Sequence, residues 1–112
     1  MEALKIEKTV VAEKNAVVIQ LHGPLGPYTV SQFSDLLQDL FDSGSYRMVL
    51  DMNDVEYISS AGVGALISAQ TTAQKNKGDV VLIHPKPKVL ELFGLLDYFH
   101  FATDTKAALE LL

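Results

Sequence analysis

Cysteine is absent from this 112-residue chain, which excludes disulfides, thiolate nucleophiles and Cys-based metal sites together. Basic residues are scarce too: 9 Lys and Arg stand against 14 Asp and Glu, a formal charge of -5. That balance repels a phosphate backbone, and the densest basic stretch, Lys75 to Lys77 with Lys86 and Lys88, reads as a solvated helix end and loop. Nucleic acid is therefore not an expected partner. No window approaches the roughly 20 apolar residues of a membrane span, and the opening MEALKIEKTVV carries acids among its apolar residues. A cytoplasmic protein with no membrane span is the expectation. The G-x-S-x-G elbow of a hydrolase is missing, and the GPLG at Gly23 lacks the Lys and Ser/Thr of a phosphate-binding loop.

What is present is a well-mixed chain, 48% apolar and 21% charged, with no linker or internal repeat. A chain of this length buries about two-thirds of its unfolded surface around one core, so residues 1–112 are expected to form one domain. Leu4 to Ala12 and Ala16 to His22 read as strands joined by a polar turn at Glu13, Lys14 and Asn15, with Val17, Ile19 and Leu21 alternating. Gly23, Pro24, Gly26 and Pro27 break that pattern. Thr29 with Gln32 three residues on has the form of a capping box opening a helix over Val30 to Asp42, where Phe33, Leu36, Leu37, Leu40 and Phe41 share a face and Gly44 supplies the stop.

Met48 to Met52 is the next strand, followed by a second helix from the Ser59–Ser60 pair to about Asn76, and Val80 to Ile83 is a short apolar strand. Pro85 and Pro87 introduce a third helix carrying Val89, Leu92, Phe93 and Leu96. Phe99 to Ala102 reads as an edge strand, after which Thr103 or Asp104 caps a terminal helix with Ala108, Leu109 and Leu112. The order ββαβαβαβα describes an α/β fold, a mixed sheet of four to five strands covered by about four helices. Its working residues belong at the carboxyl ends of the strands.

Those ends hold Asp51, Asp54, Ser59 and Ser60, with Glu56 close by. Serine is a preferred N-cap, so one of the pair has a structural task and the other is spare, beside the small residues Ala61, Gly62 and Gly64. A glycine in the first helical turn costs ~1 kcal/mol relative to Ala, which points at Gly62 to a close backbone approach, by the sheet or by a partner. Ala65 and Ala69 read as close packing of the helix on the sheet. Nucleophilic catalysis would require His22, His84 or His100 beside a serine; scattered over separate elements, they favour a non-enzyme. Asp51 and Asp54 are turn carboxylates or, less simply, cation ligands. Their spacing matches no recognised metal loop, and neither a metal nor another cofactor is expected. Phe93, Leu95, Leu96, Tyr98 and Phe99 are core or an exposed patch, and the oligomeric state is left open.

The stretch Val49 to Gly64, VLDMNDVEYISSAGVG, resembles the signature of the STAS family, the bacterial anti-sigma factor antagonists: an apolar strand, D-L/M-S/N-x-V, an aromatic-hydrophobic pair and D/S-S-x-G. Gly23, Gly78-Asp79 and Val89 to Leu96 resemble further family features, so nearly the whole chain is covered. The resemblance implies a STAS-like fold and a partner switch. The unphosphorylated protein would bind an anti-sigma factor that is also a serine kinase and release the sigma factor; phosphorylation would end binding, and a serine phosphatase would restore it. Ser60 occupies the phosphoacceptor position, with Ser59, where the family often has Asp, as second choice. Tyr57, Ser59, Ser60, Ala61 and Gly62 would form the partner surface. An alternative within the family is an unphosphorylated accessory subunit of a transport or signalling assembly.

Overall fold

Alternation of Val17, Ile19 and Leu21 with Val18 and Gln20 gives a strand two usable faces, and the computed structural model, which describes residues 3–85 and 97–112, uses both. Strand β1 (Lys5–Val11) runs antiparallel to β2 (Ala16–His22), with Lys5 opposite His22 and Val11 opposite Ala16. The first strand is shorter than expected. Ala12–Lys14 forms a 3-10 turn and Asn15 closes it at φ 50, a left-handed conformation Asn tolerates better than most residues. Leu4, expected in the strand, instead lies buried in the core ahead of it.

Strands β3 (Arg47–Asp54), β4 (Asp79–Ile83) and β5 (His100–Ala102) add in parallel, giving the order β1-β2-β3-β4-β5. Helix α1 spans Val30–Asp42, α2 Ser60–Lys75 and α3 Thr105–Leu111. The fold is thus the expected mixed α/β sheet with helices, β5 being a short edge strand. The helix expected around Val89, Leu92, Phe93 and Leu96 lies outside the described residues.

One sheet face, with Ile19, Leu21, Met48, Leu50, Met52, Val80 and Leu82, packs against Phe33, Leu37, Leu40 and Phe41 of α1 and Val63, Leu66, Ala69 and Ala73 of α2. The other gathers Val18, Val49, Val81 and Ile83 around Ala108 of α3. Full burial of each large aliphatic side chain contributes about 1.5–3 kcal/mol, so the central strands β2 to β4 anchor the molecule. Phe99 is buried in the first cluster and Tyr98 packs half-buried against it.

Helix ends follow the sequence with one correction. Gly44, at φ +83, terminates α1 as the Ser45 N–H donates to Leu40 O at 2.8 Å, and the Asp104 carboxylate caps α3 by accepting from Ala107 N at 2.8 Å. The capping box at α1 does not form. Thr29 Oγ1 accepts from Gly26 N at 2.9 Å and donates to Pro24 O at 2.7 Å, while Gln32 Nε2 donates to Leu4 O at 2.8 Å. Both side chains fasten neighbouring segments where the box would have used them on the helix itself.

Candidate functional site

The α2 N-terminus is built by division of labour between adjacent serines. Ser59 has extended geometry, φ -82 and ψ 170, and its Oγ accepts from Gly62 N at 3.1 Å. Its N–H donates to Leu25 O at 2.9 Å, and the residue is buried. Ser60, the first residue of the helix, is exposed, and its hydroxyl bonds to no other described residue. Its N–H and that of Ala61 lie in the first turn, where an α-helix supplies no acceptor. An exposed hydroxyl thus stands in solvent at the positive end of the helix dipole.

The segment holding this geometry lies 34 residues earlier. Leu25 N donates to Tyr57 O at 2.9 Å, Leu25 pairs with Ile58 in an isolated parallel bridge, and Leu25 O receives the Ser59 N–H. Gly62 completes the joint: a Cβ there would stand 2.5 Å from Leu25 O. The close approach anticipated at Gly62 therefore comes from the chain's own 23–29 loop. In the sequence that loop reads only as a break in the pattern; its density of Gly and Pro before an aromatic is the one local signal it offers.

Of the other expected site residues, Tyr57 is 54% exposed and Ala61 is exposed, whereas Gly62 and Ser59 lie beneath the surface. Gly64 is exposed, and a methyl group in place of its hydrogen would meet nothing within 4 Å. Ala69 is buried and Ala65 partly so. Asp51 Oδ1 accepts from Asn53 N at 3.1 Å, within β3. Asp54 Oδ2 lies 2.7 Å from His22 Nδ1, a cross-strand pairing local pattern does not reveal. Glu56 is exposed nearby.

His100 Nδ1 meets Asp79 Oδ2 at 2.5 Å, and His84 lies beside a cavity of about 260 Å³ with Asp51, Asn53 and Asp104. Among the described residues no histidine bonds to either serine, and no group of three or more His, Cys, Asp or Glu could hold a metal ion. No described helix is long and apolar enough to cross a membrane.

A mixed five-stranded sheet with helices on its faces and a serine-capped start to its second helix defines a class of small α/β domain. Residues 9–100 match the family model described as "Mlab, STAS domain", and the chain belongs to the STAS domain family. It is 33% identical over 91 residues to BtrV of Bordetella bronchiseptica, named a putative anti-sigma factor antagonist, covering 79% of this chain and 78% of that protein. It also matches the structure of a Thermotoga maritima protein named a putative anti-sigma factor antagonist, with TM-score 0.87, 20% identity and coverage of 95% and 92%. The phosphorylated form of the Bacillus cell fate determinant SpoIIAA matches with TM-score 0.74, 23% identity and coverage of 97% and 99%.

Proposed function

We propose that this protein is an anti-sigma factor antagonist whose unphosphorylated form binds an anti-sigma factor with serine kinase activity and so releases the sigma factor. Phosphorylation of Ser60 ends binding, and a serine phosphatase reverses it. The observation carrying this reading is the separation of tasks between the serines: Ser59 is buried as the cap, Ser60 exposed and unbonded to any described residue. The names of the relatives support the antagonist role.

The physics of the switch is local. A phosphoserine adds about -1.5 to -2 charge, which a helix N-terminus tolerates through its dipole and unpaired N–H groups. The fold is therefore expected to survive modification and the charge to be read by the partner. A partner pocket shaped for a neutral hydroxyl meets a dianion; one like-charge pair at about 4 Å costs about 4 kcal/mol at an effective dielectric near 20, roughly 10³-fold in affinity. Asp54 and Glu56 give the same region negative character.

The test is reconstitution with each purified anti-sigma serine kinase of the host and its sigma factor. Unphosphorylated protein should displace the sigma factor from one of them, and protein carrying phosphoserine at position 60 should not. Displacement by neither form, or by both equally, overturns the switch and favours an unphosphorylated accessory subunit.

A further inference from the structure

Two exposed tyrosines stand on the two segments that meet at the Ser59 joint. Tyr28 is 83% exposed and Tyr57 54% exposed, although each ring offers a large area for burial. Both are held by a stiff frame. Tyr57 precedes the Ser59 cap by two residues, and its ring lies over Gly26, where a Cβ would come within 3.2 Å of Cε2. Tyr28 lies between Gly26 and Thr29, whose hydroxyl bonds to Gly26 N and Pro24 O. The 23–29 loop is bound in turn to Tyr57 O and Ser59 N through Leu25. One hydrogen-bonded unit therefore carries Tyr28, Tyr57 and Ser60 at the end of the sheet where α1 and α2 both begin.

Few cations stand near this unit: Lys5, opposite His22 on β1, is paired with Glu7 at 3.3 Å. Of the 9 Lys and Arg, only Arg47 falls between residues 15 and 74, and its guanidinium is engaged by Lys14 O at 3.2 Å and Leu112 O at 3.3 Å, at the start of β3 and far along the strand from the serines. Asp54 and Glu56, next to Tyr57 in the sequence, are exposed, as is Asp35 in the first half of α1. We infer that Tyr28 and Tyr57 form an aromatic clamp that extends the Ser60 docking surface and receives an Arg- or Lys-bearing segment of the anti-sigma kinase; this rests on the function proposed above. Three features match a guanidinium or ammonium partner: two exposed rings, the exposed carboxylates Asp54 and Glu56 in the segment that carries Tyr57, and no Lys or free Arg of the 15–74 span to compete. Rigid tyrosines lose little entropy on binding and are enriched among residues that dominate interfaces. Tyr28, the more exposed and the one outside the serine segment, is the residue that would discriminate among partners.

The experiment measures the affinity of the full chain for each purified anti-sigma serine kinase of the host, at about 0.05 M and about 0.5 M salt. The variants are Tyr28→Ala, Tyr28→Phe, Tyr57→Ala and the remote control Val10→Ala, with melting curves for all. Val10 is 65% exposed on β1. Tyr28→Ala and Tyr57→Ala should each weaken the complex by about 10- to 30-fold, with Tyr28→Phe and Val10→Ala within about twofold of the parent, unchanged melting for Tyr28→Ala, and weaker parental binding at high salt. Parental affinity in Tyr28→Ala, or equal losses in Tyr28→Phe and Tyr28→Ala, overturns the clamp. If Ser60→Glu abolishes binding while Tyr28→Ala does not, the clamp alone fails; if no kinase binds the parent, the proposed function fails and takes the clamp with it.

Discussion

The two ends of α2 are built on opposite terms. At its start a single side-chain cap and one loop carbonyl hold the backbone, and the outward positions Ser60, Ala61 and Gly64 are small and exposed. Further along the helix, Gln70 has 0% exposure; its Nε2 donates to Asp79 Oδ1 at 2.9 Å and Tyr98 O at 3.2 Å, and its Oε1 accepts from Val80 N at 2.9 Å. Asp79 goes on to His100, and Thr71 bonds to the Tyr98 hydroxyl. The buried side-chain hydrogen bonds of the helix gather where it meets β4 and the 97–100 segment, away from the serines. Under the proposed function, the start of the helix is the end expected to change charge without unfolding the protein.

The contrast is broken most severely at the anchored end. Gln70→Ala removes the side-chain bonds to Asp79 Oδ1, Tyr98 O and Val80 N, although the Val80 N–H keeps Asp79 Oδ1 at 2.9 Å, and opens a cavity, so a loss of about 2–4 kcal/mol is expected from urea unfolding. Next comes Gly62→Ala, whose methyl would press on Leu25 O at 2.5 Å; a loss of about 1–3 kcal/mol should emerge by the same measurement, through separation of the 23–29 loop from the helix. Ser59→Ala removes the cap and should cost about 1 kcal/mol in thermal or urea unfolding. Gly64→Ala should go the other way. It lies exposed in the helix with open space around it, and a gain of about 0.5–1 kcal/mol is expected from helix propensity alone.

How far the sequence carries these features depends on their range. Val30–Asp42 is legible in full because its apolar spacing and Gly44 are local signals, and the serine pair at a strand-to-helix junction is visible for the same reason. Thr29 and Gln32 mislead because the box pattern is also local, whereas their acceptors, Pro24 O and Leu4 O, are set by how the loop and first strand pack. The joint between Leu25 and Ser59 spans 34 residues and leaves no periodicity behind. Gln70 reads as one more polar helix residue until β4 and Tyr98 close over it. Gly62 stands out by its cost in a helix, but only the fold shows that Leu25 O occupies the missing side chain's place.

The proposed division, in which Ser59 holds the helix and Ser60 carries the switch, is tested by measuring unfolding free energy and phosphate incorporation together, by urea titration and by intact and fragment mass spectrometry. The samples are Ser59→Ala and Ser60→Ala with the cognate anti-sigma kinase and ATP. Ser59→Ala should lose about 1 kcal/mol yet still gain one phosphate on Ser60; Ser60→Ala should stay within about 0.5 kcal/mol of the parent and gain none. A phosphate that persists in Ser60→Ala and disappears in Ser59→Ala would contradict the division.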